Sequence, residues 1–145
     1  MQVRHILQDK GRDIVAISET ATLADAARTL ARHRVGAVII QGNGGALAGI
    51  LSERDVVRAI AGDGPLALSR GVAAYMTRSV VTCVDSDTVD GLMEVMTTGR
   101  FRHVPVLDEH QKLAGLISIG DVVKSRIDET VREANSLRDY ISATA

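Results

Sequence analysis

The chain has 145 residues, 46% hydrophobic and 24% charged, which suits one compact soluble domain with a shared core. A formal net charge of −1 gives no field that would gather nucleic acid or an anionic membrane surface. Aromatics are 2% with no Trp, so Val, Ile, Leu, Ala and Met must build the core, and the single cysteine, Cys83, excludes an internal disulfide.

In chain order, a short β segment is predicted at residues 14–17. A helix follows, with Leu23, Ala26, Ala27 and Leu30 on one stripe and Thr22 with Asp25 as a capping pair. Strands are predicted at 36–40 and 47–51, separated by a Gly-rich turn, and a second helix begins after Ser52. Gly62-Asp-Gly-Pro65 reads as a turn and linker. The same order then returns: a β segment at 80–84, a helix with the stripe Val89, Leu92, Met93 and Met96, strands at 103–107 and 113–117, and a helix after Ser118. The tail from Ser125 continues helical, with Ile127, Val131, Ala134, Leu137 and Ile141 roughly on one stripe. That stripe is either the end of the core or a contact face for a second copy.

The return is a true repeat. Gly49-Ile-Leu-Ser-Glu-Arg-Asp-Val-Val57 matches Gly115-Leu-Ile-Ser-Ile-Gly-Asp-Val-Val123, 66 residues later. The same spacing pairs Thr22 with Thr88, Arg34 with Arg100, Val38 with Val104 and Val15 with Val81. Val3-Arg-His-Ile-Leu7 resembles Val72-Ala-Ala-Tyr-Met76 at a slightly larger spacing. The expected fold class is α+β: two β-α-β-β-α units packed through their sheets about a pseudo-twofold axis. The boundaries are 1–62 for the first unit with its leading linker, 63–71 for a linker, 72–128 for the second unit and 129–145 for a C-terminal helix, all within one domain. One such unit is marginal alone, and packing two creates a cleft on either side of the axis, where small ligands usually bind.

The segment that carries chemistry is Gly-x-x-Ser-x-x-Asp at a strand-to-helix junction, present as Gly49/Ser52/Asp55 and as Gly115/Ser118/Asp121. Glycine permits close approach of backbone or ligand. The serine lies at a helix N-terminus, favourable to phosphate, and an Asp one turn on accepts hydrogen bonds from a ribose diol. Ser-x-x-Asp before an apolar run is also a capping box, needing no ligand. Both roles stay open, and they are compatible.

The doubled unit, the doubled Gly-x-x-Ser-x-x-Asp, Tyr75-Met-Thr77 and Arg102-His-Val-Pro-Val106 together resemble the cystathionine-β-synthase (CBS) domain pair, or Bateman module, of the stand-alone bacterial type. The resemblance runs from about Val3 to Lys124. It implies a regulatory module that binds adenosine nucleotides, AMP, ADP, ATP or a dinucleotide such as NAD(H), and senses energy or redox state for a separate partner protein. It places the ribose on Ser52 and Asp55 and on Ser118 and Asp121. It also implies a homodimer of two pairs in a flat disc. Arg54, Arg100, Arg102 and His103 are the candidate phosphate ligands, since guanidinium forks suit phosphate oxygens. Gly36, Ala37, Ile50 and Leu116 are the candidate lining of an adenine slot. Arg54 is replaced by Gly120 in the second unit, and Arg102-His103 stand where the first has Gly36-Ala37, so the two clefts are expected to differ.

Competing readings are weaker. The glycines of Gly42-Asn-Gly-Gly-Ala-Leu47 lie between two strands and lack the third glycine of a dinucleotide loop. The four histidines have neither i, i+4 pairing nor a Cys partner, so no metal is expected. CBS pairs occur in IMP dehydrogenase, but that barrel needs about 250 residues, and no nucleophile–base pair is spaced for catalysis. No turnover is expected. A purely structural or dimerisation module, with both motifs only capping helices, is the other alternative. No apolar run approaches the roughly 20 residues of a membrane span. The start lacks a signal peptide, so a cytoplasmic protein without membrane or nucleic-acid partners is expected.

Overall fold

Two β-hairpins in matching register form the centre of the molecule. In a computed structural model, which describes residues 1–144, the elements are α1 (Val3–Lys10), β1 (Ala16–Ser18), α2 (Leu23–His33), β2 (Ala37–Gln41), β3 (Leu47–Ser52), α3 (Glu53–Asp63), α4 (Val89–Gly99), β4 (His103–Leu107), β5 (Leu113–Ser118) and α5 (Ile119–Thr144). Antiparallel β2–β3 pairs Ala37 with Ser52, and β4–β5 pairs His103 with Ser118. Both hairpins shift register one residue before the end of the leading strand, at Ile40/Gln41 and Val106/Leu107. β1 adds to β2 in parallel.

The expected strand at 80–84 does not form. In the first half, the Ile39 N–H donates to the Val15 carbonyl at 3.0 Å and ties β1 to β2. The residue equivalent to Ile39 is Pro105, which has no N–H to donate. Only a single bridge between Cys83 and Val106 survives. Residues 78–82 are left free of the sheet, and part of them becomes cleft wall.

Local chemistry sets the helix ends. Thr22 accepts from the Asp25 N–H at 3.2 Å while Asp25 accepts from the Thr22 N–H at 3.0 Å, the reciprocal cap read from the sequence. In the second half Gly91 replaces the Asp, so Thr88 accepts one bond and receives no return. α2 and α4 both end on an arginine in the left-handed region, Arg34 at φ 54° and Arg100 at φ 57°.

There are two hydrophobic cores, and each is completed by a segment leading into the opposite half. Val3, Ile6 and Leu7 of α1 pack with Val89, Leu92, Met96, Val104, Val106, Ile117 and Val122 of the second half. Ala67, Val72 and Met76, which precede the second half, pack instead with Leu23, Ala26, Leu30, Val38, Ile40 and Leu51 of the first. Matching main-chain bonds anchor the crossing: Val3 N–H to the Asp87 carbonyl and Val72 N–H to the Ala21 carbonyl, both at 2.9 Å. Ala37, Ile39 and Pro105 lie on the opposite sheet faces and are also buried, as expected where sheet meets sheet. Leu7→Ala is therefore expected to remove about 3 kcal/mol of stability in a single cooperative urea transition, although Leu7 precedes the first half. An early, separate transition would mean that the halves fold independently.

α5 runs unbroken to Thr144, with Val122 and Ser125 its buried residues. Further along, Ile127, Val131, Leu137 and Ile141 are exposed, so the tail's apolar stripe is a surface rather than the end of the core. Among the described residues no helix is long and apolar enough to cross a membrane.

Candidate functional site

The end of β3 and the first turn of α3 form one wall of a cavity of about 340 Å³. Gly36, Ala37, Ile50, Ser52, Arg54 and Asp55 line it from the first half, and Arg100, Arg102 and His103 from the second. Nine of the residues singled out in the sequence thus share one cleft. Its volume falls within the usual range for small-molecule sites.

Ser52 is the N-cap of α3. Its Oγ accepts from the Asp55 N–H at 3.3 Å, and Asp55 Oδ2 accepts from the Ser52 N–H at 2.9 Å and from the Ser52 hydroxyl at 3.1 Å. The capping box therefore exists, and it uses one carboxylate oxygen only. Among the described residues, Asp55 Oδ1 has no hydrogen-bond partner. Helix capping and the acceptance of an outside hydroxyl are separable tasks for this side chain.

The charge of the cleft is uncommitted. Arg54, Arg100 and Arg102, together with Arg58 one turn beyond Asp55, are exposed. Among the described residues none of the four is in an ion pair. Four guanidinium groups around one cavity, only partly offset by Glu53 and Asp55, suit a polyanion such as phosphate. His103 is half-buried at the junction of the halves: a Cβ on Gly36 would lie 3.2 Å from its Cε1. Burial holds its imidazole below the ordinary histidine value, against the pull of Asp121 and Glu53. Glycine at position 36 gives that ring its room.

The other three singled-out residues lie elsewhere. Ser118 caps α5, accepting from the Asp121 N–H at 3.2 Å, and Asp121 Oδ2 accepts from the Ser118 N–H at 2.8 Å. Here a cation occupies the carboxylate: Lys10 Nζ lies 2.7 Å from Asp121 Oδ2 and donates to the Leu116 carbonyl at 2.7 Å. Burial alone would raise the Asp121 carboxyl, but Lys10 and the Ser118 N–H hold it below its usual range.

Sequence reasoning missed Arg58, Thr77, Val80, Val81 and Phe101 in the cavity, and Lys10 beside Asp121. Helical spacing from Asp55 was a usable signal for Arg58. Val80 and Val81 lie in the segment expected to be a strand, and Lys10 carries no local signal. Cys83 is buried, which pushes its thiol up to about 12, with Asp87 and Asp85 adding to the effect. Such a thiol is unreactive. Among the described residues no group of three His, Cys, Asp or Glu is placed to hold a metal ion.

Comparison with known proteins gives a consistent picture. The sequence model of the CBS domain matches twice, at residues 3–62 and 72–134. A mitochondrial CBS domain-containing protein of Arabidopsis thaliana is 36% identical over 124 residues, covering 83% of this chain; the chain spans 60% of that relative's length. A crystal structure of a CBS-domain containing protein from Agrobacterium tumefaciens superposes with a TM-score of 0.83 at 49% identity, covering 86% of this chain and 92% of the other. A CBS domain protein of Pyrobaculum aerophilum, solved in complex with AMP, gives a TM-score of 0.75 at 30% identity over 83% of this chain and 89% of its own.

Proposed function

Because the chain belongs to the CBS-domain family and carries the domain twice, we propose that it is a regulatory module taking a phosphorylated adenosine, AMP first, in the cleft of Ser52 and Asp55. The observation that carries this reading is the pairing of an unpartnered Asp55 Oδ1 with four uncommitted arginines around one cavity. The carboxylate suits a ribose diol and the arginines suit phosphate. The AMP complex of the Pyrobaculum relative supports AMP as the ligand. A second phosphate arm, as in NAD(H), would draw on Arg54 and Arg58, which extend along α3.

Binding without turnover gives a sensor, and its signal passes to a separate partner or through the module's own assembly. For that assembly we propose a homodimer. Val57 on α3 and Val123 on α5 hold equivalent positions and are 66% and 46% exposed, with Ile127 beside Val123 on the same helix. Two copies joined through these helices would cover all three residues and form the flat disc. A reducing cytoplasm suits the buried, unpaired Cys83.

The test is a thermal-shift series with AMP, ATP, NAD, NADH and S-adenosylmethionine. A ligand held at 100 times its dissociation constant adds about 2.7 kcal/mol, several degrees for a chain of this size. AMP is expected to give the clearest shift. No shift with any of the five would leave the serines and aspartates as helix caps only.

A further inference from the structure

The surroundings of Ser52/Asp55 and of Ser118/Asp121, the place of the expected second cleft, differ where the leading segments cross them. In the first, the main chain satisfies the strand edge: the Ile50 carbonyl accepts from the Thr77 N–H at 2.9 Å, and the Ile50 N–H donates to the Thr77 carbonyl at 3.0 Å. In the second, the equivalent Leu116 carbonyl accepts from the side chain of Lys10. The cause is local. Met76 packs over Gly49 as Leu7 packs over Gly115, but beyond that point the two segments diverge. The short helical turn Val72–Ala74 has already ended before Met76, so that the Thr77 backbone amide meets the strand. After Leu7 the chain stays helical to Lys10, and Gly11, at φ 94°, ends the helix. A helical backbone spends its N–H groups internally, so a side chain must reach the strand instead.

That side chain ends on the carboxylate that corresponds to Asp55. Lys10 and Asp121 are 34% and 22% exposed, and the ammonium bridges Asp121 and Leu116 with 2.7 Å contacts on both sides. Asp55, in contrast, has no cation partner among the described residues. A ribose entering the second cleft must compete with a full charge tethered beside its acceptor. The second cleft also carries Gly120 where the first has Arg54, so it has less with which to repay the exchange.

We propose that Lys10 is a tethered cationic plug on the second cleft, so that a phosphorylated adenosine fills the first cleft first and enters the second only by displacing Lys10. This rests on the nucleotide reading above and refines it. Displacement frees the last turn of α1, a helix that packs on the second core through Val3, Ile6 and Leu7, so the second binding event reaches an element the first does not touch. The module then has two thresholds for one ligand.

Calorimetric titration with AMP tests this on the wild-type chain, on Lys10→Met, which keeps the apolar stem and removes the ammonium, and on Lys10→Arg, which keeps a cation. Each is also titrated in the Asp55→Ala background, where the first cleft is weakened about a hundredfold and a tightened second event stands clear of it. The wild type is expected to show one tight event per chain, with a second at least tenfold weaker. Lys10→Met should tighten the second event at least tenfold and leave the first unchanged, while Lys10→Arg keeps the second weak. Equal affinities in the wild type overturn the plug. So does Lys10→Met if it leaves the second event unmoved, or weakens it by removing a phosphate ligand. Absence of AMP binding in every protein overturns the nucleotide reading itself. A tight first event beside an unmoved second overturns Lys10 alone.

Discussion

Asp55→Ala is expected to weaken AMP binding at the first cleft by about a hundredfold, measured by calorimetric titration. A ribose diol donates two hydrogen bonds to the carboxylate, and bonds to a charged acceptor contribute about 1.5–3 kcal/mol each. A loss of about 3 kcal/mol is roughly a hundredfold in affinity. The same substitution removes the return bond of the capping box, because Asp55 Oδ2 accepts from the Ser52 N–H and hydroxyl. That costs about 1 kcal/mol of stability, so binding must be measured well below the unfolding transition. Asp55→Asn separates the two effects. It keeps one acceptor oxygen for the cap but places an NH2 donor where Oδ1 faces the ribose, so the cap survives while the affinity still falls at least tenfold. Asp121→Ala should change the wild-type affinity for the first equivalent of AMP very little, since Lys10 already holds that carboxylate. Undiminished affinity in Asp55→Ala would defeat the site assignment, leaving Asp55 a helix cap.

How much of this could be read in the residues depends on the range over which each feature is determined. The hairpins and both Ser-x-x-Asp caps follow from local pattern, and their spacing of 66 residues survives into the strand register. The strand expected at residues 80–84 failed because its pairing depends on a donor about 25 residues away. Pro105 removes that donor while keeping the apolar character that made both segments look like strands. The likeness of Val3 and Leu7 to Val72 and Met76 was visible, but not the half on which each packs. That is fixed by crossing chains and leaves no periodic trace. Lys10 is the extreme case. It is an ordinary charged residue near a helix end, and it matters only because it meets Asp121 across 111 positions of sequence. The repeat predicted unequal clefts from Arg54 and Gly120, whereas the larger asymmetry lies in the leader outside the repeat.

The glycine that opens each motif leads to the second large effect. Gly49→Ala is expected to cost about 3 kcal/mol and Gly115→Ala about 1 kcal/mol, measured by urea unfolding. A Cβ on Gly49 would sit 2.7 Å from the Thr77 carbonyl oxygen and 2.8 Å from Met76 Sδ. The Thr77 oxygen cannot retreat without lengthening its bond to the Ile50 N–H, next to the substituted residue. A Cβ on Gly115 would meet Leu7 Cδ2 at 2.7 Å, the far end of a side chain that can turn. The obstacle is backbone in one half and a methyl group in the other, so the same substitution is felt unequally. Binding should divide the same way. Moving Thr77 moves the wall of the first cleft, so Gly49→Ala weakens AMP there, while Gly115→Ala leaves the first cleft intact. Equal costs for the two variants would mean that both glycines serve only the strand. Unequal costs mean that glycine is required because the other half's leading segment lies against it.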